Sequence, residues 1–476
     1  MAHQHHSHVA DMDEGLDFRP QFAREGESVN IPRRRISEDS VHPETAYQII
    51  HDELMLDGNS RLNVATFVTT WMEPEADRLM QESASKNMID KDEYPQTAQI
   101  EERCLDIIAD LWHVPSPDEP IGCSTTGSSE ACMLAGLAMK WHWRDRHGLD
   151  AQSAQRPNIV MGANVQVCWL KFCRYWDVEP RTVPVRRDST VMHADDAAAA
   201  CDENTIGVVA ILGSTFDGAY EDVHAIAAAL DRLQRDRGID VPIHVDAASG
   251  GFVAPFLDPD LEWDFWVDRV LSINASGHKY GLVYPGVGWL LWRDEKSRPE
   301  DLVFRVSYLG GDMPTMALNF SRPGAQVVAQ YYCFLRLGQA GYGRVQQHSR
   351  DVATYLAQRI AEMGTFDLIS DGSELPVVAF CLKGAATKTG RPRKGSVADK
   401  ADFTVYDISD AVRTGGWQLP AYSFCADRED LDILRIVVRN GFSRDMAEML
   451  LRDLAKAVRR LSGSMAGDKP GQAFRH

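Results

Sequence analysis

Lys279 and Asp246 carry the chemistry that this sequence suggests. Lys279 stands in Ala275-Ser276-Gly277-His278-Lys279-Tyr280-Gly281, and Asp246 in His244-Val245-Asp246-Ala247-Ala248. A lysine amine can bond to an aldehyde, and a buried carboxylate can keep a heteroaromatic nitrogen protonated. Those are the two protein contacts that pyridoxal phosphate needs to accept electrons released at the α-carbon of an amino acid. Gly277 and Gly281 bracket the lysine, and residues without side chains let the backbone approach a bound ring. A third segment, Ser124-Thr125-Thr126-Gly127-Ser128-Ser129-Glu130, precedes apolar residues at Leu134, Leu137, Ala138 and Trp141 in helical spacing. The amides at such a helix start, with the Ser128 and Ser129 hydroxyls, could seat a phosphate, although the same serines would serve as ordinary helix caps. Taken singly, a loop lysine is usually surface and a strand-end aspartate is often a cap. Their order and their strand contexts favour the chemical reading.

The elements around them are those of an α/β protein. The run Val241-Pro242-Ile243-His244-Val245 reads as a buried parallel strand that delivers Asp246 at its carboxyl end, where open α/β sheets bind ligands. Arg269-Val270-Leu271-Ser272-Ile273 reads as the strand before Lys279. Further strand-like runs at 158–161, 207–212 and 288–292 alternate with helical stretches such as 225–236, which predicts a mainly parallel sheet with helices on both faces. The chain divides into an arm at 1–61, a large cofactor domain at 62–352 and a smaller α/β domain at 353–476, since single cores stop growing near roughly 250–300 residues. The stretch 383–400, rich in Gly, Lys, Arg and Ala with no apolar period, predicts a mobile surface loop.

Composition excludes some functions. The net charge of −19 argues against nucleic acid, whose recognition depends on basic patches. No apolar run reaches the roughly 18 residues of a membrane span, and the best candidate, 282–292, contains Pro285. Nine cysteines lack any Cys-x-x-Cys spacing, and Cys132, Cys333 and Cys381 sit among apolar residues, so a reducing cytoplasm is expected and no metal or disulfide framework is. The amino end has no secretory signal pattern, and its His3, His5, His6 and His8 read as a polar terminus rather than a metal site.

From about residue 42 to its last residue, the chain resembles the bacterial type of glutamate decarboxylase, within the pyridoxal-phosphate decarboxylases of group II. The resemblance is carried by Gln48-Ile49-Ile50-His51-Asp52-Glu53-Leu54, Lys86-Asn87-Met88-Ile89-Asp90, Thr126-Gly127-Ser128-Ser129-Glu130-Ala131-Cys132-Met133, Arg174-Tyr175-Trp176-Asp177-Val178, Asp246-Ala247-Ala248-Ser249-Gly250-Gly251-Phe252, Ser276-Gly277-His278-Lys279 and Leu318-Asn319-Phe320-Ser321-Arg322-Pro323. It implies the aminotransferase-like fold (fold type I) and decarboxylation of L-glutamate to 4-aminobutanoate. On the matching positions, Lys279 is the attachment lysine, with His278 beside it, and Asp246 is the ring-nitrogen partner. Gln166 and Ala248 flank the ring, and Thr215 contacts the cofactor. Ser128, Ser129, Ser276 and His278 contact the phosphate, and Ser321 reaches it from a neighbouring subunit. Thr66, Phe67, Asn87 and Asp90 approach the distal carboxylate of the substrate, and Arg435 holds its α-carboxylate. A homo-oligomer, at least a dimer and in bacterial relatives a hexamer built as a trimer of dimers, is implied as well.

One position departs from the pattern: Ile211 stands where the family has a threonine, leaving Thr215 as the remaining hydroxyl unless Ser214 or water compensates. The terminal Gln472-Ala473-Phe474-Arg475-His476 resembles family tails in which a last histidine closes the site at neutral pH and withdraws in acid, with a frayed tail as the alternative. Two rival functions stay open: decarboxylation of a different amino acid on the same fold, and a non-catalytic assembly subunit.

Overall fold

A sheet covered by helices on both faces must bury side chains on both faces, so its strands are apolar throughout rather than alternating. Residues 158–162 and 205–211 are buried at every position. The computed structural model describes residues 34–36, 40–116, 119–149, 155–186, 188–306, 313–386 and 391–463. Seven strands form its main sheet: β1 (Ile121–Thr125), β2 (Asn158–Gly162), β3 (Glu179–Val183), β4 (Thr205–Ile211), β5 (Ile243–Asp246), β6 (Val270–Ala275) and β7 (Gly288–Trp292). Their order is β1-β7-β6-β5-β4-β2-β3. The strands from β3 to β6 pair in parallel, whereas β7 runs antiparallel to both β6 and β1.

Val160, Val208, Ala210 and Val245 face a core shared with Ile108, Trp112 and Phe252. Ile159, Met161, Val209 and Leu290 face the opposite core, filled by Ala131, Leu134 and Ala138 of the helix Ser128–Arg146 and by Trp169. Each fully buried aliphatic side chain stabilises by about 2 kcal/mol, and a one-residue slip would exchange the two sets. The register that results places Asp246 between Ile211 and Asn274.

A short pair, β8 (Phe304–Val306) and β9 (Met313–Thr315), follows. The second sheet comprises β10 (Phe366–Asp371), β11 (Val377–Leu382), β12 (Ala421–Ser423) and β13 (Asp432–Val437), in the order β10-β11-β13-β12 and antiparallel throughout. The helix Ala325–Glu362 links the two sheets. It breaks at Gly338 (φ 56°, ψ −176°), packs Val327 and Phe334 on the main core, and packs Val352, Leu356 and Ile360 on the small one.

By its internal contacts the chain forms two units, Met1–Asn59 and Ser60–His476. In the first, the helix Pro43–Leu54 begins at a proline and has no buried residue, leaving Tyr47, Ile50 and Leu54 exposed. In the second, part of the stretch expected to be a mobile loop is ordered differently. Val397–Lys400 forms a helical turn because Ser396 caps it, accepting from the Asp399 amide at 3.3 Å. All nine cysteines are buried and unpaired. Among the described residues, no helix is long and apolar enough to cross a membrane. His476 and the amino-terminal histidines lie outside the described residues.

Candidate active site

The carboxyl ends of the main strands converge on one cavity of about 420 Å³. After β1 comes Gly127 and then the helix opening with Ser128 and Ser129. Gln166 caps the helix Val167–Tyr175 after β2. Thr215 follows β4, Asp246 ends β5, and Ser276, His278 and Lys279 follow β6. All of these line the cavity, as do Ala248, Thr66 and Phe67. Chain topology thus gathers residues from distant segments, as the rule for ligand sites in open α/β sheets requires.

Asp246 forms the floor. Its Oδ2 accepts from Trp169 Nε1 at 2.9 Å, and its Oδ1 accepts from Asn274 Nδ2 and from the Ala248 amide, both at 3.2 Å. The Cys132 thiol lies 3.8 Å from Oδ2. Three N–H donors around a carboxylate that can only accept make this the hydrogen-bond inventory of an anion.

Lys279 Nζ donates to Ser249 Oγ at 3.2 Å and lies 5.3 Å from the centre of the Phe67 ring. Burial draws its ammonium below the ordinary lysine range, against the opposite pull of Asp246, so the neutral amine is easier to reach. His278 is pulled down to about 4, first by burial and then by the Lys279 charge. Ser276 and Ser128 join through their hydroxyls at 2.6 Å, tying the lysine loop to the helix start. Gly127 (φ 154°) keeps that start open, because a Cβ there would come within 2.9 Å of His278 Cε1.

The wall opposite is the segment 60–70, held by two arginines. Arg435, on β13, donates from Nη2 to Ala65 O at 2.6 Å and from Nη1 to Thr215 O, and it lies 4.9 Å from the Phe67 ring centre. It is 8% exposed, its Nε has no partner, and it makes no ion pair with a described carboxylate. A central position on the small sheet, rather than an edge, explains that burial. Arg439 is different: it donates to Thr66 O, Thr70 Oγ1, Ser60 O and Asn63 O at 2.5–3.1 Å. Thr69 completes the clamp, its hydroxyl donating to Lys279 O at 2.7 Å.

Four expected residues are absent from the lining of this cavity: Arg435, which backs it against Phe67 and Ala65, and Asn87, Asp90 and Ser321. Asn87 donates to Ser321 Oγ at 3.3 Å and accepts from the Arg322 amide at 3.1 Å, so Asn87 and Ser321 stand together elsewhere. Asp90, three residues on from Asn87, is also absent from the lining. Ser214 is absent from the lining, so its hydroxyl does not replace the missing threonine's, while Ile211 borders the cavity.

Sequence reasoning missed Trp169, Asn274, Arg439 and Glu221. Glu221 is buried behind the cavity, where it accepts from Ile211 N at 2.8 Å and from Met192 N and Asn164 Nδ2 at 3.2 Å. Burial lifts its carboxyl to about 7. A polar residue inside an apolar run was the available signal for Asn274. Arg439 and Glu221 carried none.

An amine, a carboxylate fixed by three donors with an acceptor site to spare, and an open helix start with hydroxyls, all in one cavity, match the aldehyde, ring nitrogen and phosphate of pyridoxal phosphate. Fold and donor set together define a pyridoxal-phosphate enzyme. Residues 37–383 match the pyridoxal-dependent decarboxylase conserved domain, and the chain belongs to that family. It is 52% identical over 432 residues to glutamate decarboxylase of Aliivibrio fischeri (strain ATCC 700601 / ES114), covering 90% of each chain. It is 46% identical over 453 residues to glutamate decarboxylase of Lactococcus lactis subsp. lactis (strain IL1403), covering 94% of each. The solved structure of Lactobacillus brevis CGMCC 1306 glutamate decarboxylase aligns with a TM-score of 0.86 at 47% identity, covering 93% of this chain and 98% of that one.

Proposed function

We propose that this protein is a lyase that removes the α-carboxylate of L-glutamate as carbon dioxide, takes up a proton and releases 4-aminobutanoate. The observation that carries the reading is the buried Arg435 with an unpartnered Nε, set on the same wall as Phe67, which lies over the Lys279 amine. Pyridoxal phosphate supplies the electron sink when bound. Lys279 would attach it, Asp246 would keep its ring nitrogen protonated, and Gln166 and Ala248 would pack against the ring. Ser128, Ser129, Ser276 and His278 hold the phosphate, and Thr215 contributes a further contact.

Arg435 offers a planar fork to the α-carboxylate, and an incoming anion gives the buried guanidinium the partner it lacks. With the α-carboxylate held there, the substrate would be oriented so that the bond to this carboxylate, rather than another at the α-carbon, is the one selected for cleavage. Thr66 and Phe67 shape the pocket for the rest of the substrate.

The active form is read as a homo-oligomer, at least a dimer, with a hexamer built as a trimer of dimers as the larger assembly. Asn87 is hydrogen-bonded to Ser321 and both lie outside this chain's cavity, so a neighbour's site that receives Ser321 at the phosphate would receive Asn87 and Asp90 at the distal carboxylate. The exposed apolar side chains of the helix Pro43–Leu54 support assembly through the arm at 1–61. On the same reading the cofactor domain spans 62–352 and the small domain 353–476. Nine unpaired cysteines fit a cytoplasmic setting.

Carbon dioxide release by the holoenzyme, measured across the amino acids, tests the substrate. Glutamate should be consumed fastest, with aspartate and the aromatic amino acids at least roughly 100-fold slower in kcat/KM. A faster reaction with any other amino acid overturns the choice.

A further inference from the structure

A hydrogen-bonded chain leads away from the floor of the site into the sheet. Asp246 Oδ1 accepts from Asn274 Nδ2 at 3.2 Å, Asn274 Oδ1 faces His244 Nε2 at 2.7 Å, and His244 Nδ1 faces Ser272 Oγ at 2.7 Å. The four residues are two register pairs on neighbouring parallel strands, Asp246 with Asn274 and His244 with Ser272. Residues two apart in a strand point to the same face, so the pairing itself stacks the four side chains into one file. His244 and Asn274 are fully buried, and Ser272 is 2% exposed.

The direction of every bond in the file follows from one charge. A carboxylate only accepts, so Asn274 must turn its amide nitrogen toward Asp246. Its carbonyl oxygen then meets His244, which places the hydrogen on Nε2. Nδ1 is left as an acceptor and takes the Ser272 hydroxyl proton. Burial pulls His244 down to about 4, against the opposing pull of Asp246. The neutral ring therefore passes orientation along the file without adding a cation that would compete with a ring nitrogen for Asp246. Trp169 fixes the other carboxylate oxygen from the side, but Oδ1 has only Asn274 and the Ala248 amide.

We infer that His244 and Asn274 are positioning residues: acting through the Asn274 amide, they hold the Asp246 carboxylate at the angle that keeps the ring nitrogen of bound pyridoxal phosphate protonated. Their role rests on the reading of Asp246 given above. Ser272 ends the file, its hydroxyl donating to His244 Nδ1 and holding the ring in place.

The test uses holoenzyme reconstituted with pyridoxal phosphate carrying ¹⁵N in the ring. Asn274→Leu keeps the volume and removes the donor. Its ring ¹⁵N resonance should move toward that of the unprotonated ring. Its kcat should fall roughly 10- to 100-fold, the scale of one hydrogen bond to a buried charge. KM for glutamate should change less than about threefold, since interactions lost only at the reacting centre lower kcat rather than binding. Ser272→Ala should shift the resonance less and in the same direction, and Ser272→Thr should restore it. If Asn274→Leu does not fold, an unmoved resonance in Ser272→Ala overturns the inference. So does an Asn274→Leu holoenzyme with the parental resonance and kcat. Asp246→Asn run in parallel separates the two layers. If it moves the resonance while Asn274→Leu does not, only the relay fails. If Asp246→Asn itself keeps the parental resonance and kcat, the reading of Asp246 fails.

Discussion

The floor of the cavity around Asp246 and the wall around Arg435 are both buried, yet they differ in what they have left to bond. On the floor, the carboxylate takes three N–H donors. On the wall, Arg435 reaches two carbonyls and keeps an unpartnered Nε. Four residues further on, Arg439 commits its guanidinium to holding the segment 60–70 in place. A saturated buried group holds geometry, whereas an unsatisfied one retains capacity for a ligand, because an unpaired buried donor costs about 1–3 kcal/mol until something pairs with it. Arg439 belongs to the first kind and Arg435 to the second, while Asp246, with three donors on roughly four acceptor sites, is held in place and still keeps one site for a ring nitrogen.

Substitutions can break that comparison. The largest effect is expected where floor and wall meet: Lys279→Ala should lower kcat by more than roughly 10³-fold and abolish covalent retention of the cofactor, read by borohydride reduction and mass spectrometry. The arginines should then part company. Arg435→Met should cost roughly 100-fold in kcat/KM, about 3 kcal/mol, and lower unfolding free energy by only about 1–2 kcal/mol, since two carbonyls lose their donor. Arg439→Met should do the reverse, lowering unfolding free energy by about 3 kcal/mol because four acceptors lose their donor. Equal effects on both readouts for the two variants would erase the distinction.

Glu221 sharpens the comparison through pH. Its carboxyl is raised from 4.5 to about 7 by burial. A raised folded-state value means that the native state keeps a proton the unfolded chain has lost. The stability tied to that proton is complete below pH 4.5 and is lost as pH rises toward 7. Glu221→Gln cannot ionise, so its stability relative to the parent should rise by up to about 3 kcal/mol across that interval and then level off. A difference independent of pH would show that the three donors keep Glu221 ionised throughout. The smallest effect is expected at Ile211: Ile211→Thr should tighten cofactor binding by about fivefold if the added hydroxyl finds a partner, as measured by the cofactor dissociation constant.

Much of this site could be read from sequence because its key groups sit where strands end. Asp246 and Lys279 each follow an apolar run with flanking small residues, and Ser128 and Ser129 open a clear helical period. Strand direction could not be read, since a buried strand has the same apolar pattern whether parallel or antiparallel, and the reversal of β7 therefore emerged only in the fold. Arg435 and Arg439 look alike in Arg435-Ile436-Val437-Val438-Arg439. Only their contacts with the segment 60–70, far away in the chain, distinguish them. His244 and Asn274 were hidden for a related reason, as their partners lie across the sheet. The separation of Asn87, Asp90 and Ser321 from the cavity likewise depends on tertiary placement.

The most direct test of α-decarboxylation is the product formed from L-glutamate by holoenzyme in deuterium oxide, followed by proton NMR together with measured carbon dioxide. The reading predicts 4-aminobutanoate with one deuterium on the carbon that lost its carboxylate, and one carbon dioxide per glutamate consumed. Exchange of the glutamate α-proton without carbon dioxide, or loss of the distal carboxylate instead, would contradict it.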